Sequence, residues 1–325
     1  MRYYQDLLAM IPIIMQSKKI TMDRAGYLNS AYAFAFKEFG QPIELSHCKG
    51  WVIERKIPNF DAVDAMGCYP LFMCEDWSSL HLDLQRIDRN WVTLALVTDP
   101  FGNYSPEYLK RCFPDVMIPF KQHYVVDLKQ IPSNFIVEHH RRNARKALQR
   151  VTIEVCPNPS AFLNDWVALY DVLIQRHKIR GITAFSRQSF ACQMEVPGLV
   201  VFRASAESQT VGMLLWYVIG NIAYYHLGAY NEAGYKLRAS FAMFWYAIHF
   251  FAEMEIEWLD LGAGAGIHET TDDGLSRFKR GWSNGTCWAY FCGRVLDREK
   301  YQNIVSQLES LSNVNYFPVY RYGDF

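Results

Sequence analysis

Several short stretches carry side chains that could do chemistry. In residues 137–151 (VEHHRRNARKALQRV), Ala144, Leu148 and Val151 recur at helical spacing while Arg141, Arg142, Arg145 and Lys146 share the other side. Such a face can contact phosphates, and a solvated helix face would look the same. Residues 229–240 (AYNEAGYKLRAS) precede a long apolar run, so Asn231, Gly234, Lys236, Arg238 and Ser240 stand where a helix start and two cations favour an anion. Tyr225, His226 and Tyr230 close a predicted strand and are groups able to move protons. Lys279 sits in DGLSRFKRGW, after the octet LDLGAGAG (residues 259–266), which on its own looks like a cofactor-binding glycine loop.

The elements that would position these groups follow from periodicity. Residues 91–97 (WVTLALV) read as a buried strand, 105–113 as a short helix and 123–128 (HYVVDL) as another strand. Residues 211–219 and 222–227, joined by Gly220-Asn221, read as a hairpin. The run 237–254 carries Phe241, Phe244, Trp245, Ile248 and Phe251 at helical intervals and predicts one buried helix. A short strand at 257–261, a helix capped by Asp272 or Asp273, a strand at 286–291 and a helix at 297–311 complete the second half.

These elements test the glycine octet. A methyltransferase or dinucleotide loop needs a helix starting at its glycines and an acidic residue about 20 positions on. IHETTDDG follows instead, residues 278–290 hold no Asp or Glu, and too little chain remains for further strand–helix units. An S-adenosylmethionine-dependent methyltransferase is therefore the last-ranked alternative, and the glycines are expected to let the chain turn tightly beside a packed helix.

The order strand, tight turn, strand, loop, buried helix, short strand, small helix, strand is that of the GNAT acyltransferase core. More specifically, residues 223–266 followed by DGLSRFKRGW resemble the C-terminal domain of the Fem-type aminoacyltransferases and their GNAT-like relatives, in which a strand ends in a glycine loop and a small helix ends in Phe-Lys. Here that pair is Phe278-Lys279, and RRNARKA resembles the basic segment opening the same region. The resemblance covers residues 137–295. It implies an α/β fold with mixed sheet, as two tandem GNAT-like domains: a degenerate copy at 1–136, and at 137–325 a copy opened by the basic helix and carrying the active site.

It also implies the chemistry: an N-acyltransferase moving an acyl group from acyl-CoA to an amine of a small-molecule, sugar or cell-envelope precursor. Lys279 would stabilise the developing oxyanion, with Phe278 as site wall and His226 or Tyr230 for proton transfer. Asn231, Gly234, Lys236, Arg238 and Ser240 would meet the donor's pyrophosphate, although NEAGYK keeps only one glycine of the usual acyl-CoA pattern. A Fem-like aminoacyl-tRNA donor is the first alternative, and a GNAT-shaped binding protein without catalysis is another. The 33 basic and 33 acidic residues balance, and no heptads mark a tRNA-binding arm, so acyl-CoA ranks above tRNA and DNA is not expected.

Composition fits a folded chain: 325 residues, 50% hydrophobic and 15% aromatic. The eight cysteines form no CxxC or zinc spacing, His139-His140 and His268-Glu269 offer none either, and no metal is expected. LLAMIPIIM is short, holds a proline and has its lysines after it, a poor signal peptide. No apolar stretch approaches the roughly 20 residues of a membrane span, so the expected setting is cytoplasmic.

Overall fold

The computed structural model describes residues 24–87, 90–265, 273–308 and 314–323. The run LLAMIPIIM, Gly266, His268 and Glu269 lie outside them. Two compact units emerge, each assembled from separate segments: one from Met1–Gly26, Gln122–Lys178 and Met194–Cys287, the other from Tyr27–Lys121, Ile179–Gln193 and Trp288–Phe325.

In chain order the described residues form helix α1 (Ser30–Phe34), strands β1 (Gln41–Leu45), β2 (Gly50–Lys56) and β3 (Val63–Gly67), α2 (Leu80–Gln85), β4 (Trp91–Val97), α3 (Pro106–Cys112) and β5 (Val116–Asp127). There follow α4 (Pro132–Phe135), α5 (Glu138–Leu148), β6 (Thr152–Val155), α6 (Leu163–His177), α7 (Arg187–Met194), β7 (Leu199–Ala206), β8 (Gln209–Ile219) and β9 (Ile222–Tyr230). The last elements are α8 (Glu232–Leu237), α9 (Ala239–Glu253), β10 (Trp258–Asp260), α10 (Gly274–Arg280), β11 (Gly285–Val295) and α11 (Arg298–Ser306).

Local chemistry explains the boundaries. Ser105 caps α3 by accepting from the Tyr108 N–H and Pro106 occupies the first turn, where its missing N–H costs nothing. Gly220, at φ +61°, makes the tight β8–β9 turn. Asp273 caps α10, accepting from the N–H groups of Leu275 and Ser276. The single helix expected over 237–254 is interrupted: Arg238 adopts the left-handed conformation at φ +57°, ending α8 and starting α9. Asn231 nucleates α8 ahead of this break, which periodicity alone does not reveal.

In the first unit the strands lie in the order β5-β10-β9-β8-β7-β6. β10 pairs parallel to β9 and antiparallel to β5. Its core gathers Trp216, Phe202, Phe244, Phe251, Leu259 and Trp282 around the inner face of α9, all nearly inaccessible to solvent. In the second unit the order is β1-β2-β3-β4-β11, with β3 parallel to β4 and β11 antiparallel to it. Its core centres on Phe72, Trp77, Trp91, Leu94, Leu109 and Phe113, and an ion pair between Asp64 and Arg321 is buried beside it. All eight cysteines are free thiols and six of them are buried.

Candidate active site

The site grows from the way β10 departs from its neighbour. The register Trp258↔Ile222, Leu259↔Ala223, Asp260↔Tyr224 stops at Asp260, yet β9 runs on to Tyr230. On its other side the β10 chain keeps its hydrogen bonds: the Leu261 N–H donates to the Tyr124 carbonyl, and the Tyr124 N–H to that of Gly262. A wedge therefore opens between β9 and the segment 261–264.

Lys279 projects from α10 into this region. It is only 5% exposed, donates from Nζ to the Ala263 carbonyl at 2.6 Å, and holds its ammonium 5.5 Å from the centre of the Tyr225 ring. Gly262, at φ +72°, is where the close approach is made: a Cβ there would stand 3.1 Å from Nζ. Gly264 packs its Cα against Ser276 and Asp273, leaving no room for a side chain. Both glycines thus serve the tight turn beside a packed helix.

Phe278 forms a wall. Its ring centre lies 5.0 Å from Phe244, 5.2 Å from Phe241 and 5.5 Å from His140. His140 Nε2 donates to the Phe278 carbonyl at 3.1 Å, and burial pushes its pKa down to about 4, so the ring is neutral there.

His226 stands apart from this group. The β8–β9 register jumps between Leu215↔Leu227 and Trp216↔Tyr225, so His226 is the extra residue of a bulge. It packs on Tyr217, 5.1 Å between ring centres, whereas Trp216 and Tyr225 face Phe244 on the opposite side of the sheet. Burial lowers its pKa to about 3. Tyr230 is buried against Tyr235, and among the described residues its hydroxyl has no hydrogen-bond partner.

The expected donor-binding residues divide. Asn231 is spent on structure, accepting from the Gly234 N–H at 2.9 Å and donating to the Thr210 carbonyl at 3.1 Å. Gly234 lies against the Val211 carbonyl, which excludes a side chain. Lys236 is exposed and paired with Glu232 at 2.8 Å. Arg238 reaches α5, where Nη1 donates to Asn143 Oδ1, and Ser240 is half-buried in the first turn of α9. On α5 itself Arg141 is tied to Glu138 and the Ser133 carbonyl, while Arg142, Arg145 and Lys146 are exposed. The structure therefore brings Arg238 to the helix that bears the basic face.

Two functional candidates escape the sequence reading. His123 on β5 and Asp260 on β10 are both buried, with Nδ1 2.9 and 2.8 Å from the two carboxylate oxygens, and Asp260 Oδ1 also accepts from the Gly262 N–H at 2.7 Å. A separation of 137 residues leaves no spacing signal for the pair. Among the described residues no cluster of His, Cys, Asp and Glu could hold a metal, and no helix is long and apolar enough to cross a membrane.

Residues 137–280 match the family described as the acetyltransferase (GNAT) domain. No curated protein matches by sequence. Among solved structures the chain is similar to FemX (TM-score 0.62, 13% identity, covering 85% of this chain and 93% of that one). It is also similar to the C-terminal domain of a putative lysylphosphatidylglycerol synthetase from Agrobacterium fabrum (0.60, 10%, 92% and 95%). A third is L-PGS from Bacillus licheniformis (0.57, 13%, 91% and 94%). At such identities the likeness speaks for the fold alone. Residues 137–280 thus match the GNAT acetyltransferase domain, and over the chain as a whole the fold is like that of FemX, a mixed α/β sheet with tandem GNAT-like domains.

Proposed function

We propose that the chain is an N-acyltransferase that moves an acyl group from acyl-CoA to an amine of a small-molecule, sugar or cell-envelope precursor. The observation that carries this reading is the buried Lys279 ammonium, fixed by the Ala263 carbonyl where β9 and β10 part. A cation held there before reaction stabilises the oxyanion that forms as an amine attacks an acyl carbonyl, with little reorganisation. Phe278, Phe241 and Tyr225 line the apolar side. Arg238 and Ser240 at the start of α9, together with Arg142, Arg145 and Lys146, form the surface we assign to the donor's phosphates. The oxyanion cation and the donor surface then belong to the copy at 137–325, and the setting that supplies such donors is the cytoplasm.

A Fem-like aminoacyl-tRNA donor is the second reading. It is favoured by Asn231 and Gly234 being committed to holding the turn, so the acyl-CoA loop pattern is absent in form as well as in sequence.

Thermal-shift titration with acetyl-CoA, longer acyl-CoAs, S-adenosylmethionine and charged tRNA separates the donors, because a ligand of the native state raises the melting temperature. A shift with acyl-CoA is expected, and its absence alongside a shift with charged tRNA would replace the first reading by the second. Lys279→Ala lowers turnover about a hundredfold, the scale of a lost oxyanion donor. An undiminished Lys279→Ala enzyme would remove Lys279 from the chemistry.

A further inference from the structure

We propose that His123 is the general base that deprotonates the attacking amine, with Asp260 as its positioning residue. This rests on the acyl-transfer reading above and adds to it the proton acceptor that His226 and Tyr230, by their placement, do not supply.

The pair is built for that task. A carboxylate only accepts hydrogen bonds, so His123 Nδ1, within 2.9 Å of both Asp260 oxygens, carries the proton. With a proton on Nδ1, Nε2 is the nitrogen left to accept another, and among the described residues no hydrogen bond occupies it. Asp260 is itself fixed by the Gly262 N–H at 2.7 Å, which leaves the carboxylate little freedom to turn. A buried hydrogen-bonded pair contributes little to stability beyond what apolar residues of the same volume would give, so its presence calls for another reason.

Position supplies that reason. Asp260 is the last residue of β10 in register with β9, at the apex of the wedge. Lys279 grips Ala263, three residues on, while His123 grips Asp260. One four-residue segment thus carries a base at its beginning and an oxyanion cation at its end. On its own face of the sheet His123 has Asp260 from β10, Tyr224 in register with that aspartate on β9 and Lys121 two positions earlier on β5.

The step balances as follows. An amine reaches the site as an ammonium, and Nε2 takes one proton to give the free amine and an imidazolium stabilised by Asp260. The amine nitrogen attacks the acyl carbonyl carbon, the N–C bond forms, and the carbonyl electrons collect on oxygen beside Lys279. Collapse expels the thiolate, or the alkoxide of an ester donor, which takes the second nitrogen proton and leaves as thiol or alcohol. The imidazolium returns its proton to solvent.

The test is kcat/KM against pH for wild type, His123→Gln and Asp260→Asn, with acetyl-CoA, palmitoyl-CoA or alanyl-tRNA as donor and glucosamine and glycinamide as acceptors. His123→Gln is expected to lose about tenfold in kcat/KM for the amine at pH 7, where roughly a tenth of an amine of pKa near 8 is already free, and more at lower pH, with donor KM unchanged. The loss should vanish as pH rises above the amine's own pKa, where no base is needed. Asp260→Asn keeps the shape and the Gly262 bond but offers an NH₂ to Nδ1, forcing the proton to Nε2, and should reproduce the defect with an unchanged melting temperature. Variants within threefold of wild type, or a loss equal at every pH, would overturn the base assignment while leaving acyl transfer standing. A wild-type chain that transfers from none of these donors would overturn the acyl-transfer reading, and the base with it.

Discussion

Lys279 donates to the carbonyl oxygen of Ala263, sixteen residues earlier in the chain, at 2.6 Å. A lysine ammonium this deeply buried needs such partners, because desolvation otherwise drives it neutral. The bond therefore couples the position of the charge to the path of the glycine loop.

Gly262→Ala tests that coupling. A left-handed φ of +72° costs an alanine about 1–2 kcal/mol, and its methyl would crowd Nζ at 3.1 Å. Turnover should fall tenfold or more as the ammonium shifts. Urea denaturation and initial rates measure the two effects, and full activity in a destabilised variant would disconnect loop from lysine.

Asn231 separates a cap from a ligand contact. Asn231→Ala should destabilise the protein by about 1 kcal/mol through loss of the α8 cap. Asn231→Ser keeps an uncharged acceptor for the Gly234 N–H and should restore part of that stability, the bond to the Thr210 carbonyl being lost. Donor affinity equal to wild type in the serine variant would confine Asn231 to structure, and a selective loss of affinity would make it a phosphate contact.

His226 makes stability depend on acid. Its folded pKa, about 3, lies below the ordinary value near 6.5, so between these pH values the unfolded chain binds the extra proton. The neutral ring's contribution is complete above pH 6.5 and is lost as pH falls toward 3. Relative to His226→Phe, wild type should lose stability by about 1 kcal/mol per pH unit in that window. Denaturation midpoints at pH 7, 6, 5 and 4 give the slope, and parallel curves would contradict it.

Residues 91–97, the β8–β9 hairpin and α5 were legible because each follows one pattern with clear punctuation. The start of β5 was hidden by Pro119 and Lys121, which interrupt the apolar run. The α8–α9 break was hidden too, since Arg238 is no usual left-handed residue. The motif singled out Phe278-Lys279, and the structure buries Lys279 against the Ala263 carbonyl. His226, offered by the sequence for proton transfer, is set by the bulge on the Tyr217 face. His123 and Asp260 could not be paired at all, because their bond depends on the antiparallel register of β10 and β5.

The pairing of β11 with β4 joins Phe291 to Val97, and the Asp64–Arg321 ion pair spans 257 residues. During synthesis, therefore, the unit that begins at Tyr27 waits with an open strand edge until the whole intervening unit and the last stretch have left the ribosome. Completion of this half must await residues 288–321, and until they arrive the β4 edge is open to wrong partners.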